Sequence, residues 1–275
     1  MSTRARGAVA LFAAARPKQW PKNLLVAIGA GATGRVLSTA TFMLVAAFVA
    51  ASAAVYLCND VSDRELDRLD PEKAKRPIAA GTLHTGTAVT AALLLGGAAV
   101  LLAALGGAWW AVVAYLAMNV AYSGGLKRVP WVETLPVTAG FPLRVLAGAG
   151  TLVPAVLVVT PVAFAVVVAK RHGELLEGHR ARPGAELYSI PVLVFLRRVS
   201  FAFAVTTNAA TALSQTACTR CVVWTAVATI GLTAALLRFE IAATRTGAAR
   251  PDQTARRDPV LLTGAALWAI GTVLA

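Results

Sequence analysis

TFMLVAAFVAASAAVYLCNDVSDRELDRLDPEKAKRPIAAG spans residues 41–81, and its two parts have opposite chemistry. Residues 41–57 carry no charge at all. Between Asp60 and Glu72 lie six of the chain's thirteen acidic residues. An apolar run of that length approaches the ~20 residues that a helix needs to cross a bilayer. The stretch therefore reads as a membrane helix that delivers a charged segment to the membrane surface.

Working outward, the rest of the chain has the same character. It is 57% hydrophobic and 14% charged over 275 residues, where soluble domains carry about 25% charged residues. Hydrophobic runs predict nine spans, at 23–36, 40–58, 87–105, 109–122, 132–149, 152–169, 199–217, 221–237 and 259–275. The expected fold is an all-α integral membrane bundle of about nine transmembrane helices. Residues 1–22 read as an interfacial segment with Trp20 at headgroup level, and residues 23–275 as one membrane domain. Their apolar patch is broken by Arg16 and Lys18, unlike a secretory signal. Runs of small residues such as LLLGGAAV suit close helix packing in lipid, and association of several copies is compatible with them.

The net charge is +13. With the N-terminus inside and the spans alternating, 23 of the 26 Lys and Arg residues fall on the cytoplasmic side. Only Arg35 and Arg220 fall opposite, and Arg144 lies within a span. This bias orients the chain in the cell membrane, with the acidic segment facing the cytoplasm. The basic excess then suits anionic lipid headgroups rather than nucleic acid. Cys218 and Cys221 form a lone CxxC without two further ligands for zinc, and read as small residues near a helix end.

Asp60, Asp63 and Asp67 stand at i, i+3 and i+7, which share one helix face, with Asn59 at its border. Three carboxylates on one stripe repel unless cations sit between them. Mg²⁺ fits, because it takes hard oxygen ligands and typically binds one or two carboxylates plus substrate phosphates. Lys73, Lys75 and Arg76 follow, as a diphosphate leaving group requires. The competing reading is a solvated, salt-bridged surface helix with Arg64 and Arg68 among the acids.

The pattern Asn59-Asp60-Val61-Ser62-Asp63-Arg64-Glu65-Leu66-Asp67 resembles the first motif of the UbiA superfamily of intramembrane prenyltransferases. Further segments resemble the superfamily's phosphoribosyltransferase branch. These are RPKQWPKNLL at Arg16–Leu25, and Asp67-Arg68 with Pro71, Lys73 and the run Arg76–Gly81. Tyr122-Ser123, Leu126-Lys127, Gly140-Phe141, Leu143-Arg144 and Ala147-Gly148 continue the match. Lys170-Arg171, Glu174-Leu175, Arg182, Tyr188 and the terminal RRDPVLLTGAALW complete it. Departures are Glu133, where the family usually has Asp, Asp70, where it usually has His, and the added Pro136 and Pro142.

The resemblance implies transfer of 5-phosphoribosyl from phosphoribosyl diphosphate to a polyprenyl (decaprenyl) phosphate, feeding cell-wall arabinan precursors. It implies Mg²⁺ held by Asp60, Asp63 and Asp67, with Asn59 supporting and Glu133 as a further metal candidate. Lys73 and Arg76 would neutralise diphosphate. Lys18, Lys22 and Asn23 stand at the depth of a phosphate, or are ordinary snorkelling residues. Tyr122 and Lys127 end the fourth expected span, and Lys127 reads as a phosphate clamp. Arg144 is a charge inside a span and hence functional by default; Glu133 is about 16 Å away by helical rise, too far to pair. Lys170, Arg171 and Glu174 share one helix end, suited to ribose 5-phosphate or to capping. His84, His172 and His179 show no ligand spacing. The alternatives are prenyl transfer from prenyl diphosphate to an aromatic acceptor, and a non-catalytic lipid-phosphate binder or transporter.

Overall fold

Ser38 begins the first long helix: its hydroxyl accepts from the Thr41 amide, satisfying one of the open donors at the helix start. The helix runs to Ser62 because nothing in the apolar sequence interrupts it. The computed structural model describes residues 3–177, 185–214, 218–246, 254 and 257–275. All secondary structure among the described residues is helical.

In chain order the α-helices are α1 (Thr3–Ala14), α2 (Leu25–Gly31), α3 (Thr39–Ser62), α4 (Arg64–Leu69), α5 (Thr85–Leu105) and α6 (Trp109–Gly124). Then come α7 (Thr134–Ala149), α8 (Pro154–Leu176), α9 (Ile190–Ser214), α10 (Thr219–Thr246) and α11 (Pro259–Leu274). A 3-10 helix, Pro17–Leu24, leads into α2. The described chain forms two compact units, Met1–Val26 with Leu37–Gly124, and Ala27–Val36 with Gly125–Ala275.

The protein is an integral, multi-pass membrane protein. Among the described residues, five helices are long and apolar enough to cross a bilayer: Thr39–Ser62, Thr85–Leu105, Pro154–Leu176, Ile190–Ser214 and Thr219–Thr244. The expected count of nine is not reached on length. α6, α7 and α11 have 16 residues each, about 24 Å at ~1.5 Å per residue, against a hydrocarbon core of about 30 Å. The first expected span divides between the 3-10 helix and the seven-residue α2.

In the first unit α3 packs against α5 and α6, and α1 lies against α3. Ala10 and Ala14 of α1, Leu57 of α3, and Ile78, Leu83, Ala88 and Ala92 share one core cluster. Ile78 therefore anchors the segment after the acidic motif and fixes where Arg76 can reach. Gly81 closes that segment at φ 75°, which glycine adopts without strain. Outward-facing Leu93, Leu94, Leu101 and Leu105 stay exposed, as lipid-facing residues do.

In the second unit α8 packs on α7 and α9, and α10 on α9 and α11. α10 and α11 approach closely: a Cβ on Gly264 would lie 2.6 Å from the Gly231 carbonyl oxygen. Asp258 caps α11 through the amides of Val260 and Leu261. Cys218 and Cys221, expected as two separate small residues, are joined by a disulfide at the start of α10.

Candidate active site

The first unit brings the acidic motif together at the end of α3. The helix does not run unbroken through the motif. It stops at Ser62, Asp63 caps the end, and α4 restarts at Arg64. Helical spacing survives the junction, because the Asp63 amide donates to the Asn59 carbonyl at 2.9 Å and the Asp67 amide to that of Asp63 at 2.8 Å. Asp60 and Asp67 are buried, while Asp63 and Asn59 are half-buried. The Asn59 side-chain oxygen accepts from the Ser123 hydroxyl, which ties α3 to the end of α6.

Buried carboxylates need partners, and here the partners are arginines. Nη1 of Arg76 donates to Asp67 Oδ2 at 2.7 Å and to Asp60 Oδ1 at 3.3 Å. Arg16 donates to the same oxygen of Asp60. Arg16 is absent from the sequence-derived site, although the Arg-Pro step after an apolar patch marks where α1 must end. Arg16 and Lys22 also contact Tyr56, with the Arg16 Cζ 4.7 Å and the Lys22 Nζ 4.9 Å from the ring centroid. The Tyr56 hydroxyl accepts from Lys22.

Other expected residues fall differently. Asn23 is fully buried and its side-chain oxygen accepts from Ser52 at 3.2 Å, so it packs the start of the first span against α3. Lys18 is exposed and Tyr122 half-buried. Lys73 pairs with Asp70 at 3.2 Å. Asp70 Oδ1 also accepts from the amides of Glu72, at 2.9 Å, and Lys73, at 3.1 Å. The Lys73 amide foremost, then the Lys73 ammonium and the Glu72 amide, hold the Asp70 carboxyl below its ordinary value. Asp70 thus caps the short turn that carries Lys73, which accounts for an acid at that position.

The second unit carries a separate polar cluster. Glu133, immediately before α7, accepts from the Tyr188 hydroxyl at 2.9 Å and pairs with Arg171 Nε at 3.3 Å. Arg171 also binds Glu174, and Lys170 lies 3.9 Å from Glu174. Tyr188 accepts from the Trp131 amide at 2.8 Å, and the two rings are 4.7 Å apart. Trp131 has φ 63°, a turn held by those contacts. Arg144 is buried and donates to the Gly140 carbonyl one turn back on α7. Lys127 is half-buried in the turn before α7.

A further buried network was not legible in the sequence. Arg197 is fully buried and grips Glu240 through two bonds of 2.6 and 3.0 Å. Its Nη1 lies 3.1 Å from His172 Nδ1, and a guanidinium can only donate, so His172 accepts there. Arg182, His179 and Arg256 lie outside the described residues.

The arrangement fits a hard divalent cation in the first unit. No three His, Cys, Asp or Glu side chains among the described residues form a ready metal cluster. Yet one nitrogen of Arg76 touches both Asp60 and Asp67, so two buried carboxylates already converge on a single cationic atom. Two protein carboxylates are what Mg²⁺ uses when phosphates supply the remaining oxygens.

Residues 22–268 match the family model described as the UbiA prenyltransferase family. The chain is 35% identical to the decaprenyl-phosphate phosphoribosyltransferase of Mycobacterium tuberculosis over 280 residues, covering 94% of this chain and 91% of that protein. It is 32% identical to the enzyme of the same name from Corynebacterium glutamicum, covering 96% and 86%. Among solved structures, a UbiA homologue from Archaeoglobus fulgidus bound to GPP and Mg²⁺ superposes with a TM-score of 0.75 at 14% identity, covering 96% and 99%.

Proposed function

The chain belongs to the UbiA prenyltransferase family, and on that premise we propose that it is a transferase that moves 5-phosphoribosyl from phosphoribosyl diphosphate onto a polyprenyl phosphate, releasing diphosphate. The observation that carries the diphosphate chemistry is the pair of buried carboxylates, Asp60 and Asp67, converging on one cationic nitrogen at the polar end of a membrane helix. The choice of phosphoribosyl is supported by relatives of that name that align with nearly the whole chain.

In this reading Asp60, Asp63 and Asp67 hold Mg²⁺, which when bound supplies positive charge to the diphosphate. Arg76 neutralises the same leaving group, and Lys73 adds charge from its capped turn. The C1–O bond of the donor breaks and the lipid phosphate oxygen forms the new bond to C1. That oxygen is already anionic, so no strong general base is required. Attack opposite the leaving group inverts C1 and gives a β-linked product. Within the second unit Glu133 orients Arg171 and Tyr188, a cluster suited to ribose 5-phosphate. Lys127, Arg144 and Lys170 supply positive charge for phosphate recognition, and Glu174 positions Arg171 and Lys170. The active site opens to the cytoplasmic side of the cell membrane, on the strength of the Lys and Arg bias.

The test is direct. Purified protein with Mg²⁺, labelled phosphoribosyl diphosphate and a polyprenyl phosphate should place label in the organic phase. Absence of that lipid, with product forming instead from prenyl diphosphate and an aromatic acid, would overturn the reading.

A further inference from the structure

Arg16 occupies the left-handed backbone region, at φ 52° and ψ 63°, directly before Pro17. For a residue with a side chain this conformation is uncommon, and a following proline restricts it further. Such strain persists where the surroundings over-determine it. Its effect here is specific: it ends α1 and brings the guanidinium onto Asp60, 44 residues further along.

Asp60 does not depend on Arg16 for charge, since Arg76 reaches the same oxygen. Arg16 and Lys22 both lie against one ring, that of Tyr56, which stands one turn before Asp60 on α3. In this patch Arg16, Lys22 and Arg76 gather three positive charges beside the Asp60, Asp63 and Asp67 carboxylates. Two cations on one ring repel each other, and an anion between them relieves that repulsion. The Arg16 side chain is 30% exposed, so an anion can reach it.

We propose that Arg16, Lys22 and the Tyr56 hydroxyl form a phosphate seat, and that Arg16 exchanges its bond to Asp60 for a ligand phosphate. The exchange releases Asp60 for a hard cation. The seat takes a phosphate group, from the lipid phosphate or from the diphosphate of the sugar donor. The inference rests on the phosphate-transfer reading above, and Arg16 acts in it as a binding and positioning residue.

The experiment uses the full chain in detergent micelles and measures binding without turnover. The probes are Mg²⁺ alone, inorganic diphosphate with Mg²⁺, and a polyprenyl phosphate. Arg16→Gln should weaken one of the two phosphate probes by about tenfold, as loss of a charge-assisted bond requires. The same variant should tighten Mg²⁺ alone severalfold, because Asp60 loses a competing cation. The phosphate probe that weakens identifies the source of the phosphate. Arg16→Lys should recover part of the phosphate affinity. A purely structural role predicts a lowered melting temperature with every affinity per folded molecule unchanged, and that result overturns the proposal. Should Arg16→Gln fail to fold, Lys22→Gln carries the same phosphate test, and wild-type affinity for both phosphate probes overturns it. Opposite shifts for metal and phosphate, in a protein that makes no labelled lipid, would retain the seat and reject phosphoribosyl transfer. Turnover without those shifts would do the reverse.

Discussion

Nη1 of Arg76 lies 2.7 Å from Oδ2 of Asp67, and this bond ties the turn after α4 back onto α4. Asp67 is buried and Arg76 only partly so. Arg76→Ala therefore leaves a buried carboxylate short of a partner. We expect a loss of about 1–3 kcal/mol in stability, the range for an unsatisfied buried polar group. Thermal melting in detergent checks it, and Arg76→Lys should recover only part because one ammonium replaces the planar fork. An unchanged melting curve for Arg76→Ala would mean that the bond contributes nothing.

Asp63 tests the metal assignment separately from stability. It is half-buried at the junction of α3 and α4. Asp63→Asn keeps the shape and removes the charge. Turnover should fall by about a hundredfold or more, equivalent to about 2.7 kcal/mol of barrier, with little change in melting temperature. Chelation of divalent metal should abolish turnover in the wild type, and Mg²⁺ should restore it. Wild-type rates in Asp63→Asn would remove the stripe from the chemistry.

Tyr188 offers a test in the second unit. Its hydroxyl donates to Glu133 and accepts from the Trp131 amide. Tyr188→Phe removes both bonds while keeping the ring against Trp131. The expected cost is about 1–3 kcal/mol, together with slower turnover as Glu133 and Arg171 lose a fixed position. A variant that melts earlier but turns over normally would make the tyrosine structural only.

Much of this was legible in residues 41–81, because apolarity and charge spacing are local signals. Asp60 and Asp67 lie close enough to share Arg76, which the sequence suggested only as a partner for diphosphate. Contacts made by distant residues were not legible. Nothing local to Arg16 announces Asp60, and Arg197 finds Glu240 only through packing of α9 on α10. Asn23 was read by its depth at the start of the first span, which does not tell which way the side chain faces. The fold buries it against Ser52. The spans expected at 109–122, 132–149 and 259–275 fall on α6, α7 and α11, and the count of nine is unconfirmed because hydropathy locates an apolar run without showing that it crosses the bilayer. The CxxC spacing was itself a local sign of the Cys218–Cys221 bond, but it was weighed only for zinc.

Asp70 gives the pH prediction. The Lys73 amide, with the Lys73 ammonium and the Glu72 amide, holds its carboxyl below the ordinary value. A carboxyl depressed by folding binds its proton less tightly in the native chain than in the unfolded one. Its contribution is therefore complete above the unfolded value of about 3.9 and is lost as pH falls through the lower native value. The turn at 72–76 should hold steadily from neutral pH down to that range and loosen only below it. Amide exchange of residues 72–76, corrected for the intrinsic pH dependence, reads this directly. Asp70→Asn keeps an oxygen acceptor but cannot titrate. It should exchange somewhat faster at neutral pH and show no acid-triggered step. The same step in Asp70→Asn and in the wild type would assign the acid response to another group. Since the turn carries Lys73 and leads into Arg76, Asp70→Asn should also raise KM for the diphosphate-bearing donor more than it lowers kcat.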